Sequence, residues 1–239
     1  VQSLGGVWKE DKQKWRTVMD ATTAGVNPAC RHLGCEYDML PTVLAQLQPS
    51  QFMSGLDLTD AFCNWPYTSS HADYWGFKDP LTGHYYRYRF MAFGGCQSPA
   101  VQQHWARIIV RLVNEHGLRD CVSEEALRSP GFCCAGAFLD DFHLQHSPGI
   151  SKAAADEQYQ SVLNLFEYLG LQYKPSKNIP PTTSCEYIGF VIDSVARTVS
   201  ITEERAAKLH AETISYIRDR PADDVVRRRE LARLVGKLQ

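Results

Sequence analysis

The chain has 239 residues, with 25 Lys and Arg against 27 Asp and Glu, and so a formal net charge of −2. Its 44% hydrophobic and 22% charged residues exclude a disordered polypeptide, and its 16 Gly and 12 Pro exclude a collagen-like or linker-like one. No stretch approaches the roughly 18 consecutive apolar residues of a membrane span, and the near-neutral charge excludes nucleic-acid binding through bulk positive charge, so that any such role requires a local site.

The N-terminal part of the chain predicts an exposed flap. Residues 1–20 place four basic side chains around Trp8 and Trp15, a pattern typical of charged strands. Residues 25–28 predict a turn, and residues 38–47 predict a short helix.

Two strands and a long helix are predicted next. Residues 52–58 predict a half-buried strand, and the alternation of aromatic and polar side chains over residues 84–90 predicts another. Ser98 as N-cap and Pro99 at the first helical position predict a helix start, and Gly117 predicts its end. The predicted apolar stripe of this helix consists of Val101, Trp105, Ile108, Ile109, Leu112 and Val113.

The second half of the chain predicts a hairpin, a helix, a second hairpin and terminal helices. The apolar run at residues 132–139 ends at two adjacent carboxylates, and Ser151 is the predicted N-cap of the following helix. Residues 186–193 and 197–201 predict the second hairpin. Because strands adjacent in sequence can pair antiparallel with helices on one face, this order indicates an α+β fold and not a regular βαβ repeat.

The eight cysteines are too sparse for a disulfide scaffold, and no signal peptide precedes them. They predict reduced thiols in an intracellular protein, cytoplasmic or nuclear. Cys30, His32 and Cys35 match half of a zinc site, but a second pair at metal spacing is missing, so scattered residues are the favoured interpretation.

Three carboxylates are candidates for chemistry. Asp57 ends a predicted strand, and Asp140 and Asp141 lie where another strand turns. If the two strands are neighbours in one sheet, these side chains meet and repel, unless they share a proton or bind cations. Oxygen ligands suit Mg²⁺ or Mn²⁺, and two such ions are the established device for in-line phosphoryl chemistry. Taken alone, an Asp-Asp pair at a turn is ordinary turn chemistry.

Six motifs in order resemble the fingers and palm of a reverse transcriptase, an RNA-directed DNA polymerase, along nearly the whole chain. Retrotransposon enzymes of the DIRS-like group, which integrate by tyrosine recombinase, are closest in pattern. The matching segments are the fingers strand at 14–20, the first palm motif at 56–62, the second at 93–103, the Phe-x-Asp-Asp box at 138–141, the fourth motif at 169–171 with Lys177, and the primer-grip hairpin at 186–190.

The resemblance implies an α+β right-hand polymerase fold, with an antiparallel palm sheet and helices on one face. The fingers would comprise residues 1–50 and 64–97, and the palm residues 51–63 and 98–193. Residues 194–239 would begin the thumb or connection. Since the chain starts without Met and ends inside a helical pattern, we expect it to be a segment of a longer polyprotein with RNase H, recombinase or integrase domains elsewhere.

The resemblance also implies a metal site and a nucleotide site. Asp57 and Asp140 would hold two Mg²⁺ or Mn²⁺ ions, with the Leu58 carbonyl as a further ligand and Asp141 in support. Phe62 would lie under the sugar and exclude a 2′-hydroxyl, which selects deoxynucleotides. The other implied contacts are Lys9, Arg16 and the N–H groups of Asp60 and Ala61 with the triphosphate, Gly94 with the nucleotide, Gln103 with the template, Lys177 with the leaving pyrophosphate, and Ile188, Gly189 and Phe190 with the primer end.

The implied partners are an RNA or DNA template, a DNA or RNA primer and deoxynucleoside triphosphates, without a membrane. Two departures from the family pattern stand out: Phe93 replaces a polar residue of several retroviral enzymes, and Phe138 replaces the commoner Tyr. Three alternatives stay open, namely an RNA-making palm polymerase, which Phe62 disfavours, a catalytically silent nucleic-acid-binding domain, and a zinc-binding module built on Cys30, His32 and Cys35.

Overall fold

The structure, a computed structural model, describes residues 2–9, 13–115 and 134–218, with helices and antiparallel sheets in alternation. The strands are β1 Leu4–Lys9, β2 Lys14–Met19, β3 Met53–Asp57, β4 Gly76–Lys78, β5 Tyr85–Arg87, β6 Cys134–Phe138, β7 Asp141–Gln145, β8 Ile179–Thr182, β9 Ser184–Tyr187, β10 Phe190–Asp193 and β11 Thr198–Ile201. The helices are α1 Val26–Ala29, α2 Leu40–Leu44, α3 Ser69–Ala72, α4 Ser98–Glu115, α5 Lys152–Tyr168 and α6 Glu203–Arg218. The predicted mixture of helices and antiparallel strands is confirmed.

A four-stranded sheet in the order β6-β7-β3-β8 forms the centre of the described fold. Side chains of a strand alternate between its two faces, and here both faces are covered. Leu56, Phe142 and Leu144 point toward α4 and α5, and they pack there with Phe166. On the opposite face, Met53 packs with α2 and with strands β9 and β10.

Helix α4 differs from its predicted form. Ser98 is its first residue, and its hydroxyl donates to the carbonyl of Ala92 (3.1 Å) instead of capping the helix. Trp105 and Leu112 of the predicted apolar stripe are exposed. The buried positions of α4 are Ser98, Ala100, Gln102, Gln103, Ala106, Ile109 and Val113. The stripe was misplaced because two buried positions are polar residues that bond the neighbouring strand hairpin.

The C-terminal part of the described chain is a three-stranded sheet followed by a helix. Strand β10 pairs with both β9 and β11, so the predicted second hairpin gains one strand. Ser151 caps α5 as predicted, since its hydroxyl accepts from the N–H of Ala154. The predicted helix stop at Gly117 and the second terminal helix lie outside the described residues. None of the described helices has the length and apolar character needed to cross a membrane.

The N-terminal hairpin β1–β2 lies beside a second small sheet, β4–β5. Met19 at the end of β2 is buried with Trp75 and Ala92, which joins the hairpin to the segment before α4. Toward its other end the hairpin is exposed, at Val7, Trp8 and Trp15. Among the described residues, the buried contacts of the hairpin are therefore concentrated at the end that carries Met19.

Candidate functional site

Three acidic residues meet at one end of the central sheet. Asp57 is the last residue of β3 and lies directly opposite Asp141, the first residue of β7. Asp140 belongs to the two-residue turn between β6 and β7, and its carbonyl accepts from the N–H of Leu58 (3.0 Å). The adjacency of the two strands, on which the sequence prediction depended, is thus present.

The turn that carries Asp140 is held by helix α4. Leu139 has a φ of 57°, a left-handed conformation that is strained for a branched residue. Its N–H donates to Oε1 of Gln103 (2.7 Å), and its carbonyl accepts from Nε2 of Gln102 (3.1 Å). Both polar groups of Leu139 are therefore satisfied by the helix, which offsets the strain of the turn.

Gln103 departs from its predicted place. Its side chain is fully buried and also donates to the carbonyl of Ala137 in β6 (2.9 Å), so that one end of the amide bonds the strand and the other bonds the turn. The prediction that Gln103 faces a template is corrected: the side chain supports the acidic turn. The helical spacing alone left open which face of α4 would be covered.

The acidic residues influence each other's protonation. Burial, together with the charge of Asp57, raises the pKa of Asp140. Burial, together with the charges of Asp140 and Asp57, raises the pKa of Asp141 to about 6. Lys177 opposes both shifts. The site therefore has an excess of negative charge that favours a proton or a cation.

Lys177 supplies a cation to this cluster in the structure. It ends a short 3₁₀ turn, Pro175–Lys177, and its ammonium group forms an ion pair with Asp57. Over the described ranges, no three Asp, Glu, His or Cys side chains are gathered so that they could hold a metal ion. This finding includes Cys30, His32 and Cys35, which form no zinc-binding group.

A cavity of about 530 Å³ opens in front of Asp57 and Asp140. Acidic, basic and aromatic residues line it together, which is the composition expected for a charged ligand. Asp141 and Gly94 are outside its lining. The lining residues are Lys14, Arg16, Asp57, Leu58, Thr59, Asp60, Ala61, Phe62, Phe93, Gln102, Leu139, Asp140, Tyr173, Lys174, Pro175 and Lys177.

Strand β2 contributes the basic wall of this cavity. Lys14 and Arg16 are two residues apart and so lie on one face of the strand. Lys9 lies directly opposite Lys14 in the hairpin but does not line the cavity. Lys14 was missed as a candidate, although its spacing from Arg16 was a usable signal.

The segment after β3 forms the floor of the cavity. Asp60 has a φ of 45° and precedes a 3₁₀ turn, Ala61–Asn64. Within the part of the chain that the structure describes, the N–H groups of Asp60 and Ala61 donate to no backbone or side-chain acceptor. Free N–H groups of a turn are a common anion site. The ring of Phe62 lies 4.8 Å from that of Phe93, centroid to centroid.

Gly94 is required for internal packing. It has a φ of 107°, and a Cβ atom there would lie 2.0 Å from the carbonyl oxygen of Met19. The tight contact between this loop and β2, which local sequence does not reveal, is thus one reason for glycine at this position. The contact of Gly94 with a nucleotide stays a prediction.

The predicted primer-grip hairpin lies on the opposite face of the sheet from α4. Ile188 and Gly189 form the two-residue turn between β9 and β10, with φ values of 44° and 79°. Arg205 of α6 donates to the Ile188 carbonyl (3.3 Å) and covers the ring of Phe190 at 4.4 Å. The turn is thus stabilised by the first helix after the sheet.

Comparisons with known proteins identify the fold. No family model matches the chain, and no curated protein matches it. Among solved structures, a foamy viral protease-reverse transcriptase in complex with double-stranded DNA matches 99% of this chain and 35% of its own, with a TM-score of 0.68 and 18% identity. The same viral protein in complex with an RNA/DNA hybrid matches 99% of this chain and 27% of its own, with a TM-score of 0.65 and 18% identity.

The native prototype foamy virus protease-reverse transcriptase also matches, with a TM-score of 0.60 and 18% identity over 99% of this chain and 29% of its own. The chain thus spans about a third of these proteins. At this identity the similarity concerns the fold, and it confirms the predicted reverse-transcriptase-like fold.

Proposed function

We propose that this chain is the polymerase core of a reverse transcriptase, which adds deoxynucleotides to a primer 3′-hydroxyl on an RNA or DNA template. One observation carries the proposal: Asp57, Asp140 and Asp141 meet at the end of one sheet, and Asp57 and Asp140 line a cavity whose other walls carry Arg16 and Lys14. The fold similarity supports it, because the neighbouring viral enzymes are captured with double-stranded DNA and an RNA/DNA hybrid.

The donors of the acidic cluster have the chemistry that divalent ions require, and binding would have to draw the three carboxylates together, because they are not gathered into a metal-holding group in the described structure. Carboxylate and carbonyl oxygens are the ligands that Mg²⁺ and Mn²⁺ prefer, and the ammonium group of Lys177 offsets only part of the mutual repulsion of the acids. Asp57, Asp140 and the Leu58 carbonyl would hold the ions, with Asp141 in support. The ions would lower the pKa of the primer hydroxyl and neutralise the triphosphate.

The basic and N–H groups of the cavity would bind the triphosphate. Arg16 can offer a planar pair of donors to phosphate, and Lys14 adds charge from the same strand face. The free N–H groups of Asp60 and Ala61 would complete the phosphate site. Lys9, which lies outside the cavity lining, would act only at longer range.

Two further side chains have proposed roles in the reaction. Lys177 would leave Asp57 when a cation binds there, and its ammonium group would then give a proton to the departing pyrophosphate. Phe62 lines the cavity and would lie under the sugar, where its ring excludes a 2′-hydroxyl. This exclusion favours a DNA-making enzyme over an RNA-making one.

The fold regions take names under this proposal. The central sheet with α4 and α5 would be the palm, and the hairpin β1–β2 with β4–β5 would be the fingers. Residues 194–239 would begin the thumb or connection. Ile188, Gly189 and Phe190 would contact the primer end, and the source would be a retrotransposon of the DIRS-like type.

Extension of a DNA primer on an RNA template with Mg²⁺ tests the proposal. We expect Asp140→Asn to lower extension by on the order of a thousandfold, because it removes a charge from the metal site. Asp156→Asn is the matched control, since Asp156 is an exposed carboxylate of α5 paired with Lys152. Retained extension by Asp140→Asn, or no extension by the unaltered protein, would contradict the proposal.

A further inference from the structure

Three cavity side chains, Arg16, Phe93 and Phe62, form a continuous row of contacts that the sequence motifs did not reveal. The guanidinium of Arg16 lies 4.4 Å from the centroid of the Phe93 ring. The ring of Phe62 also contacts Phe93: the two ring centres are 4.8 Å apart, and the interplanar angle is 49°. Phe93 therefore contacts both the basic wall and the aromatic floor of the cavity.

The backbone of Phe93 is fixed to the strand that carries Arg16. Its carbonyl accepts from the N–H of Met19 in β2 (2.8 Å). Gly94 packs against the Met19 backbone, where a side chain has no room. Asn27 then binds the same loop, since its Nδ2 donates to the Gly94 carbonyl (2.9 Å) and its Oδ1 accepts from the N–H of Cys96 (2.9 Å). The ring of Phe93 consequently has a defined position relative to Arg16.

The contact with Phe93 leaves the donors of Arg16 available. A cation–π contact uses the face of the planar guanidinium, while its N–H groups point outward in the plane. Within the described residues, no carboxylate forms an ion pair with Arg16. The ring thus orients the group without consuming the hydrogen bonds that a phosphate needs.

We infer that Phe93 is a positioning residue that couples triphosphate binding to ribose selection. Its ring orients Arg16 toward the phosphates and supports the Phe62 ring from behind. Displacing the ring therefore changes both properties together, although Phe93 belongs to neither contact. The inference rests on the proposed polymerase function and deepens it.

The first test is steady-state single-nucleotide incorporation by Phe93→Leu, which keeps apolar volume and removes the ring. We expect KM for the deoxynucleotide to rise about threefold, with kcat within about twofold, from the loss of the cation–π contact. The preference for deoxynucleotide over ribonucleotide falls about threefold in the same variant, because Phe62 loses its support. Phe93→Tyr keeps the ring and restores both values.

Phe77→Leu is the matched control, because it makes the same chemical change in the small sheet β4–β5, where Phe77 contacts Tyr86 and Tyr88. It leaves KM and sugar preference unchanged. Phe93→Met serves as a second ring-deleting variant if Phe93→Leu does not fold, and the same shifts are expected of it. A merely structural role for Phe93 would lower the amount of active enzyme and leave KM and the sugar preference as they were.

Coupling is measured by a double-mutant cycle between Arg16→Lys and Phe62→Leu. The two changes are expected to be non-additive when Phe93 is present and additive in the Phe93→Leu background. Additivity in both backgrounds, or unchanged KM and sugar preference in Phe93→Leu, overturns the inference. All of these measurements require that the unaltered protein extends a primer. If it shows no extension, that result contradicts the proposed function and leaves the role of Phe93 a separate question.

Discussion

The central sheet and the N-terminal hairpin contribute opposite charges to one cavity, but they are built differently. The sheet residues behind the acids are almost completely buried, with Met53 at 0% and Leu56 at 2% exposure. The hairpin that carries the basic residues leaves Trp15 67% exposed. The acids thus lie on a packed scaffold, and the basic groups lie on a strand pair with little core of its own.

This difference indicates a division of roles. Groups that must hold a defined geometry need support from close packing and satisfied hydrogen bonds. Groups that attract an anion act through charge over a longer range and tolerate movement. We therefore expect changes at the sheet to affect stability and catalysis strongly, and changes at the hairpin to affect mainly substrate affinity.

The sharpest contrast concerns stability. Phe166 of α5 is fully buried and packs edge-on against Phe142 of β7 at 5.2 Å. Phe166→Ala is expected to lower the free energy of unfolding by about 3–5 kcal/mol, because it leaves a cavity behind the acidic strand. Val7→Ala, at a position 48% exposed in the hairpin, is expected to cost less than about 0.5 kcal/mol. Urea unfolding measures both, and equal losses would remove the contrast.

A second contrast concerns pH. The imidazole of His146 is fully buried between Ser54 and Gln158, and burial lowers its pKa to about 4, an effect that Lys152 strengthens and Asp156 opposes. In the unfolded chain the same imidazole has a pKa near 6.5 and takes up a proton first. As the pH falls from 6.5 to 4, His146 therefore lowers the free energy of unfolding by roughly 3 kcal/mol in total. Above pH 6.5 the penalty is absent.

His146→Gln separates this effect from the rest of the protein. At pH 7.5 the variant is expected to be less stable by about 1 kcal/mol, through altered hydrogen bonds. Its disadvantage should shrink and reverse as pH falls toward 4, since Gln does not titrate. Asp141 acts in the opposite direction, because its raised pKa of about 6 stabilises the fold as the pH falls, but it is present in both proteins and cancels. A constant difference at every pH would show that His146 does not titrate on unfolding.

A third prediction joins the two regions through Phe62. Phe62→Ala is expected to raise ribonucleotide incorporation relative to deoxynucleotide by on the order of tenfold, because it opens space beside the sugar. Incorporation of each nucleotide by the variant and the unaltered protein measures the change. An unchanged ratio would mean that Phe62 serves only as packing for Phe93.

The smallest expected effect distinguishes two lysines of the hairpin. Lys14 lines the cavity, whereas Lys9, directly opposite in the hairpin, does not. Lys14→Met is therefore expected to raise the KM for the deoxynucleotide about two- to threefold. The KM of Lys9→Met is expected to be closer to that of the unaltered protein. A larger effect from Lys9→Met would restore its predicted contact with the triphosphate.

Local signals in the sequence were sufficient for several elements. Ser151 was predicted as an N-cap and does cap α5, because this interaction involves only residues within one helical turn. The strand that ends at Asp57 and the hairpin with Asp140 at its tip were likewise predicted from short apolar patterns. The reverse-transcriptase-like fold followed from the order of the motifs.

Other features depended on contacts between distant segments. The apolar stripe of α4 was misplaced, because Gln102 and Gln103 are buried through bonds to strand β6 and the turn after it, 34 to 37 residues away. The close packing of Gly94 on the Met19 backbone was likewise not predicted. A pattern of hydrophobic residues cannot indicate buried polar groups, because their burial depends on the partners that satisfy them.

By itself, the sequence determined the strand that ends at Asp57, the hairpin with Asp140 at its tip and the capped start of α5, since these follow from local propensity, capping and turn preferences. Only the tertiary structure decided that β3 pairs with β7, so that Asp57 stands opposite Asp141, and that Phe93 lies between Arg16 and Phe62. The physical reason is that strand pairing and side-chain packing depend on burying surfaces from segments far apart in the chain, and local sequence does not record those partners.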